Sequence, residues 1–177
     1  MEDRPLSFRD QVKDPAAHRE YVLNNRFPLA LLLDRLQDAR NLGSLFRLAD
    51  AGRLAGIYGY QMSDLLAHKR IPKLSRNTEG LVQFHALHQL EDIKQLKARF
   101  QVVALEITEK SIPYTTFRPT APTLLVLGNE QRGISEEVLQ LADHTIHIPM
   151  YGFNFSMNVA VSAGIAVFKL LEHLAPA

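Results

Sequence analysis

The 177-residue sequence contains no cysteine, which excludes a disulfide framework, a thiolate-ligated metal and any mechanism built on a cysteine nucleophile. An excess of charge is also missing. Twenty Lys and Arg stand against nineteen Asp and Glu, a formal net charge of +1, so no global field draws the chain to nucleic acid or to an anionic membrane. Any basic surface has to be local. The longest mostly apolar stretch, 159–168, is too short to span a bilayer, and the first residues carry charges where a secretory leader needs an apolar run. A cytoplasmic location is the expectation.

Two common nucleotide-binding signatures are absent as well. Gly128 to Gly133 has the outline of a phosphate loop, but Ile134 occupies the position that needs a lysine, and no GxGxxG follows the first apolar run. His144 and His147 lie three apart on an expected strand, so their side chains take opposite faces and the spacing favours ordinary surface or hydrogen-bonded histidines over a shared metal.

What remains is a regular alternation. Leu29 to Leu33 is an unbroken apolar run of the kind covered on both faces in a parallel sheet. Leu42, Leu45, Phe46 and Ala49 then fall at helical spacing, with Asp38 or Asn41 available as cap and Gly52 near the end. Further strands are expected at 56–60, 81–85, 101–107, 123–128 and 145–148, and helices near 63–68, 89–99, 135–142 and 156–174. Strand followed by helix, repeated, predicts an α/β fold with a parallel sheet flanked by helices. Residues 1–26 are expected to be an extension forming a short helix that lies against the domain or a partner, and 27–177 a single domain, with a long loop over 108–123.

Three segments follow expected strands, where open α/β sheets place their ligand crevices. They read NLGSLFR (41–47), LGNEQRGIS (127–135) and IPMYGFNFSMNVAVSAG (148–164). Each alone is explained by a cap or a turn, Ser156 for instance as a helix cap. Together, and in this order, they resemble the SPOUT superfamily of RNA methyltransferases, in particular the SpoU/TrmH branch that methylates ribose 2′-hydroxyls. Ala39 stands where that branch commonly has proline, and Met157 where it has leucine or phenylalanine; neither change removes a polar group.

The resemblance implies a C-terminal deep trefoil knot, S-adenosylmethionine held in the knotted loops, and a homodimer with active sites near the interface. It implies a catalytic set of Arg47, Asn41, Glu130, Ser156 and Asn158. Arg47 would contact the phosphate and stabilise developing alkoxide charge. Asn41, Ser156 and Asn158 would orient it and the ribose, and Glu130 would tie the arginine or the second segment in place. Cofactor contacts are expected from Leu127, Gly128, Ile148, Met150 and Met157, with Leu105 as an additional wall. No metal is implied.

Lys69, Arg70, Lys73 and Arg76 form a basic run read either as a solvated surface or as a phosphate-contact loop for RNA. Transfer RNA is the favoured substrate, because an added N-terminal RNA-binding domain has no room, and a D-loop guanosine is the favoured nucleotide. The apolar helix expected from Ser156, with Val167 and Gly164 on it, is the expected dimer element. Two other classes stay open: an RNA-binding protein of the same fold without catalysis, and an α/β enzyme acting on a small molecule.

Overall fold

A computed structural model of the protein describes residues 12–62, 65 and 70–174. Its centre is β1 (Phe27–Asp34), whose apolar run divides by strand alternation between two cores. Leu29, Leu31 and Leu33 enter one core, while Ala30 and Leu32 enter the other on the opposite face of the sheet. The same division holds in β4 (Gln101–Leu105) and β6 (Thr123–Leu127), so the middle of the sheet is buried on both sides.

Seven strands pair in the order β3-β2-β1-β6-β4-β7-β5, with β2 at Leu54–Tyr60, β3 at Phe84–Leu87, β5 at Ile112–Pro113 and β7 at His144–His147. Every pairing is parallel. From β1 the chain first builds outward through β2 and β3, then crosses to the other half of the sheet. The reversal falls between β1 and β6, and the carboxyl ends there are the place where such sheets accommodate ligands.

The first core is covered by α2 (Ala39–Ala51) and α6 (Val159–Leu174), which contribute Leu42, Leu45, Phe46, Ala49, Ala163, Ala166 and Val167. Asp38 caps α2, its carboxylate accepting from the Arg40 amide at 2.7 Å, and Gly52 ends the helix as expected. A short helix, α3 (Ile71–Ser75), packs against α2 where Gly43 leaves room: a Cβ on Gly43 would lie 2.5 Å from that of Leu74. The opposite face carries the short helices α4 (Leu90–Leu96) and α5 (Glu136–Leu139), anchored by Ile93 and Val138. The remaining helix, α1 (Pro15–Asn24), buries no residue.

Several expectations need correction. The strand expected at 81–85 begins at Phe84, because the 3-10 turn Thr78–Gly80 holds the Leu81 and Val82 amides on the Thr78 carbonyl. Helix α6 begins at Val159 and is capped by Asn158, whose side-chain oxygen accepts from the Ala160 and Val161 amides at 3.0 and 3.3 Å; Ser156 is no cap. Val167 is fully buried in the chain's own core, and Gly164 faces open space. The outward apolar residues of α6 are Val161 and Phe168. The long loop over 108–123 contains the two-residue strand β5, and the helix expected near 63–68 falls almost wholly outside the described residues.

Candidate active site

A cleft of about 1010 Å³ opens at the carboxyl ends of β1, β6, β4 and β7. All three sequence segments reach it. The backbone after β6 turns tightly, and Gly128 is required there: a Cβ would lie 2.2 Å from the Gly133 carbonyl carbon. Gly133 itself has φ +70, the left-handed conformation that favours glycine. Asn129 and Gly133 exchange backbone hydrogen bonds at 2.9 Å, and the Asn129 amide reaches across to the Arg35 carbonyl at 2.7 Å.

Glu130 joins the second segment to the first. Its carboxylate accepts from the Gln37 amide at 3.1 Å, the Asp38 amide at 2.9 Å and the Asn41 side chain at 3.0 Å. Asn41 in turn accepts from the side chain of Asn158 at 2.9 Å, and Asn158 caps α6. An ionised carboxylate only accepts and a helix N-terminus only donates, so both ends of this chain force the two amides into a single orientation. Each amide nitrogen keeps a second hydrogen that the chain of bonds does not use.

The cleft is lined by Asn41, Glu130, Ser156 and Asn158 of the expected catalytic set. The same wall includes all six expected cofactor residues: Leu105, Leu127, Gly128, Ile148, Met150 and Met157. Ser156 is exposed, and its hydroxyl makes no hydrogen bond among the described residues. Arg47 is placed differently from expectation. It lies on the exposed face of α2, outside the lining, and Asn41 bonds Glu130 and Asn158 instead of orienting it. Glu130 likewise holds the backbone of the first segment and not the arginine. The reason is helical geometry: at 1.5 Å per residue Arg47 lies about 9 Å further along α2 than Asn41, away from the end of the helix that borders the cleft.

Of the basic run, Arg70 lines the cleft, Lys73 and Arg76 are exposed on and beyond α3, and Lys69 lies outside the described residues. Arg40, Glu106 and His147 also line the cleft and were not foreseen there. Arg40, seven positions before Arg47 and on the same exposed face, grips Asp38 at 2.6 Å, and this guanidinium holds the Asp38 carboxyl below the usual carboxylate range. Glu106 accepts from the Ile134 amide at 3.1 Å and from the Ile107 amide at 2.9 Å, bracing the turn from β4. His147 Nδ1 lies 2.9 Å from the Ser111 hydroxyl and ties the long loop to β7. The available signal for Glu106 was a carboxylate directly after an apolar strand; Arg40 and His147 had none beyond proximity to a motif.

These residues suit a nucleoside bearing a positive charge. Strand-end backbone and apolar side chains form the walls, and two carboxylates, Glu106 and Glu130, face the same cleft. The model of the SpoU rRNA Methylase family matches residues 28–168. The chain belongs to that family. It is 29% identical over 157 residues to the tRNA (guanosine(18)-2′-O)-methyltransferase of Aquifex aeolicus, covering 85% of this chain and 72% of that protein. The Thermus thermophilus enzyme of the same name is 31% identical over 168 residues, 92% of this chain and 84% of that protein.

Among solved structures, an AdoMet-bound rRNA methyltransferase from Sinorhizobium meliloti superposes with a TM-score of 0.77 at 28% identity, covering 88% of this chain and 61% of that one. The parallel α/β sheet is therefore that of the SpoU methyltransferases, and the C-terminal trefoil knot follows from membership of that family. S-adenosylmethionine is the family's cofactor. The apolar walls, strand-end backbone and Gly128 cradle fit it.

Proposed function

We propose that this SpoU-family chain transfers the methyl group of S-adenosylmethionine to a ribose 2′-hydroxyl of transfer RNA, with a D-loop guanosine as the target. The observation that carries the proposal is the Glu130–Asn41–Asn158 line of hydrogen bonds, which brings all three segments to one cleft. The relatives from Aquifex and Thermus, named for guanosine 18 of tRNA, support the substrate. Ribosomal RNA is the second reading, supported by the Sinorhizobium neighbour.

S-adenosylmethionine supplies an electrophilic methyl on a sulfonium, and its transfer leaves a neutral thioether. Leu127, Gly128, Ile148, Met150, Met157 and Leu105 hold the nucleoside, largely through backbone and apolar contact. Asn41, Asn158 and Ser156 position the ribose with neutral donors, a task worth on the order of 7–11 kcal/mol when alignment is good. Arg47 and Arg40 form a cationic face on α2 for the neighbouring phosphate. A charged guanidinium cannot accept a proton, so Arg47 acts on the phosphate from the exposed face of α2 and the proton leaves to phosphate or water.

Arg70, Lys73 and Arg76, with Lys69, extend the phosphate contacts. Pairing of two copies through Val161 and Phe168 of α6 completes the proposal, with the cytoplasm as the site of action. No helix among the described residues is long and apolar enough to cross a membrane.

Labelled cofactor and unmodified tRNA and rRNA transcripts test the activity. The expected product is tRNA resistant to alkaline cleavage at one ribose. Arg47→Lys keeps weak activity that does not rise with pH between 7 and 9.5, and Arg47→Ala is far less active. Absence of label in both RNAs with folded protein refutes the activity, while a tenfold rise per pH unit in Arg47→Lys makes residue 47 the base.

A further inference from the structure

Three aromatic side chains stand almost wholly in solvent on the loop between β7 and α6: Tyr151 is 95% exposed, Phe153 98% and Phe155 86%. They alternate along the chain, and Gly152 between the first two has no atom within 4 Å of where its Cβ would be. Exposed apolar clusters are uncommon on protein surfaces and mark sites of interaction. The place of this cluster identifies what it meets. Met150, Phe155, Ser156 and Met157 line the cleft, so the rings rise from its rim.

A ribose hydroxyl inside a stacked strand cannot present itself in line with a buried methyl group. Its nucleotide has to be drawn out, and the bases unstacked on either side then need flat apolar surface. Aromatic faces supply it without regard to sequence. Arg40 and Arg70 stand on the same cleft, where the sugar-phosphate backbone of such a strand would run.

We propose that Tyr151, Phe153 and Phe155 form a stacking platform for the bases at and beside the methylated nucleotide. The inference rests on the reading of the chain as an RNA methyltransferase and adds the residues that hold the RNA open. A second copy of the chain covering the rings is the competing outcome.

The protein contains no tryptophan, so Phe153→Trp places a single indole on the platform. Its emission is expected at the wavelength of a solvated indole in the free protein, to be quenched by unmodified tRNA transcript, and to be insensitive to a fully paired RNA duplex. Phe153→Leu, which keeps apolar bulk and loses the aromatic face, has a tRNA KM about tenfold above that of Phe153→Trp. Cofactor affinity, read by calorimetry, does not follow that change.

Silent emission at saturating tRNA, or a leucine variant as good as tryptophan, overturns the platform. Blue-shifted emission in the free protein that reverts on dilution assigns the rings to a second copy and also overturns it. The two readings fail separately. Quenching by tRNA without methyl transfer leaves the platform and removes the enzyme, whereas methyl transfer with silent emission removes the platform alone.

Discussion

Two loops face each other across the cleft, and they are built in opposite ways. The turn from Gly128 to Ser135 is braced from three sides: by Arg35 through Asn129, by β4 through Glu106 and by β1 through Asp34, whose carboxylate accepts the Ser135 amide at 2.6 Å. Residues 148–157 make no hydrogen bond among the described residues and expose three aromatic rings. One wall of the cleft is thus fixed by the chain's own hydrogen bonds, and the other is not. The braced turn offers Leu127 and Gly128 to a small cofactor in a fixed place, while the unbraced loop, which carries Ile148, Met150 and Met157 on the cofactor side, has an aromatic rim that suits a polymer whose bases arrive in varied stacks.

The strongest way to break this contrast is to loosen the braced wall. Gly128→Ala forces a Cβ into the Gly133 backbone, and the expected cost is about 3 kcal/mol, a drop in Tm of roughly 10 °C, with loss of cofactor binding by calorimetry. A Tm within two degrees of native would show that the turn yields. Glu130→Ala comes next. It removes the shared acceptor of Gln37, Asp38 and Asn41; water can replace it at Gln37 and Asp38 but not readily at the buried Asn41, so stability falls by about 1–2 kcal/mol. Single-turnover methyl transfer is expected to fall further, about a hundredfold, because Asn41 and Asn158 lose their shared orientation.

The smallest effect belongs to the other wall. Phe153→Ser should leave thermal stability within about 0.5 kcal/mol of native, because a ring in solvent contributes little to folding. A larger loss would mean that the ring is covered in solution, and the contrast between the two loops would be weaker than drawn.

Much of the fold was legible because parallel strands buried on both faces are nearly continuous apolar runs. Leu29 to Leu33 and Thr123 to Leu127 show this, and the helix after β1 declares its spacing, its Asp38 cap and its Gly52 end. The two-residue strand β5 was not legible, since two residues cannot display a period, whereas β7 lies within one residue of where it was expected. In the site, the three segments were visible as motifs, but their joining was not. Glu130 and Asn41 are 89 positions apart, and no local pattern says that a carboxylate after one strand will hold the amide after another.

The sequence by itself determined the alternation of strands and helices, the absence of thiol and nucleotide-loop chemistry, and which three segments carry the polar groups. These are local properties of composition and spacing. Only the tertiary structure decided that Asn41 is oriented by Glu130 and Asn158, that Arg40 lines the cleft while Arg47 stands outside it, that Val167 belongs to the chain's own core, and that Glu106 braces the Gly128 turn. Each of those depends on the direction a side chain takes once β1, β4, β6 and α6 are packed together, and direction in space is a property of the packed sheet and not of any one segment.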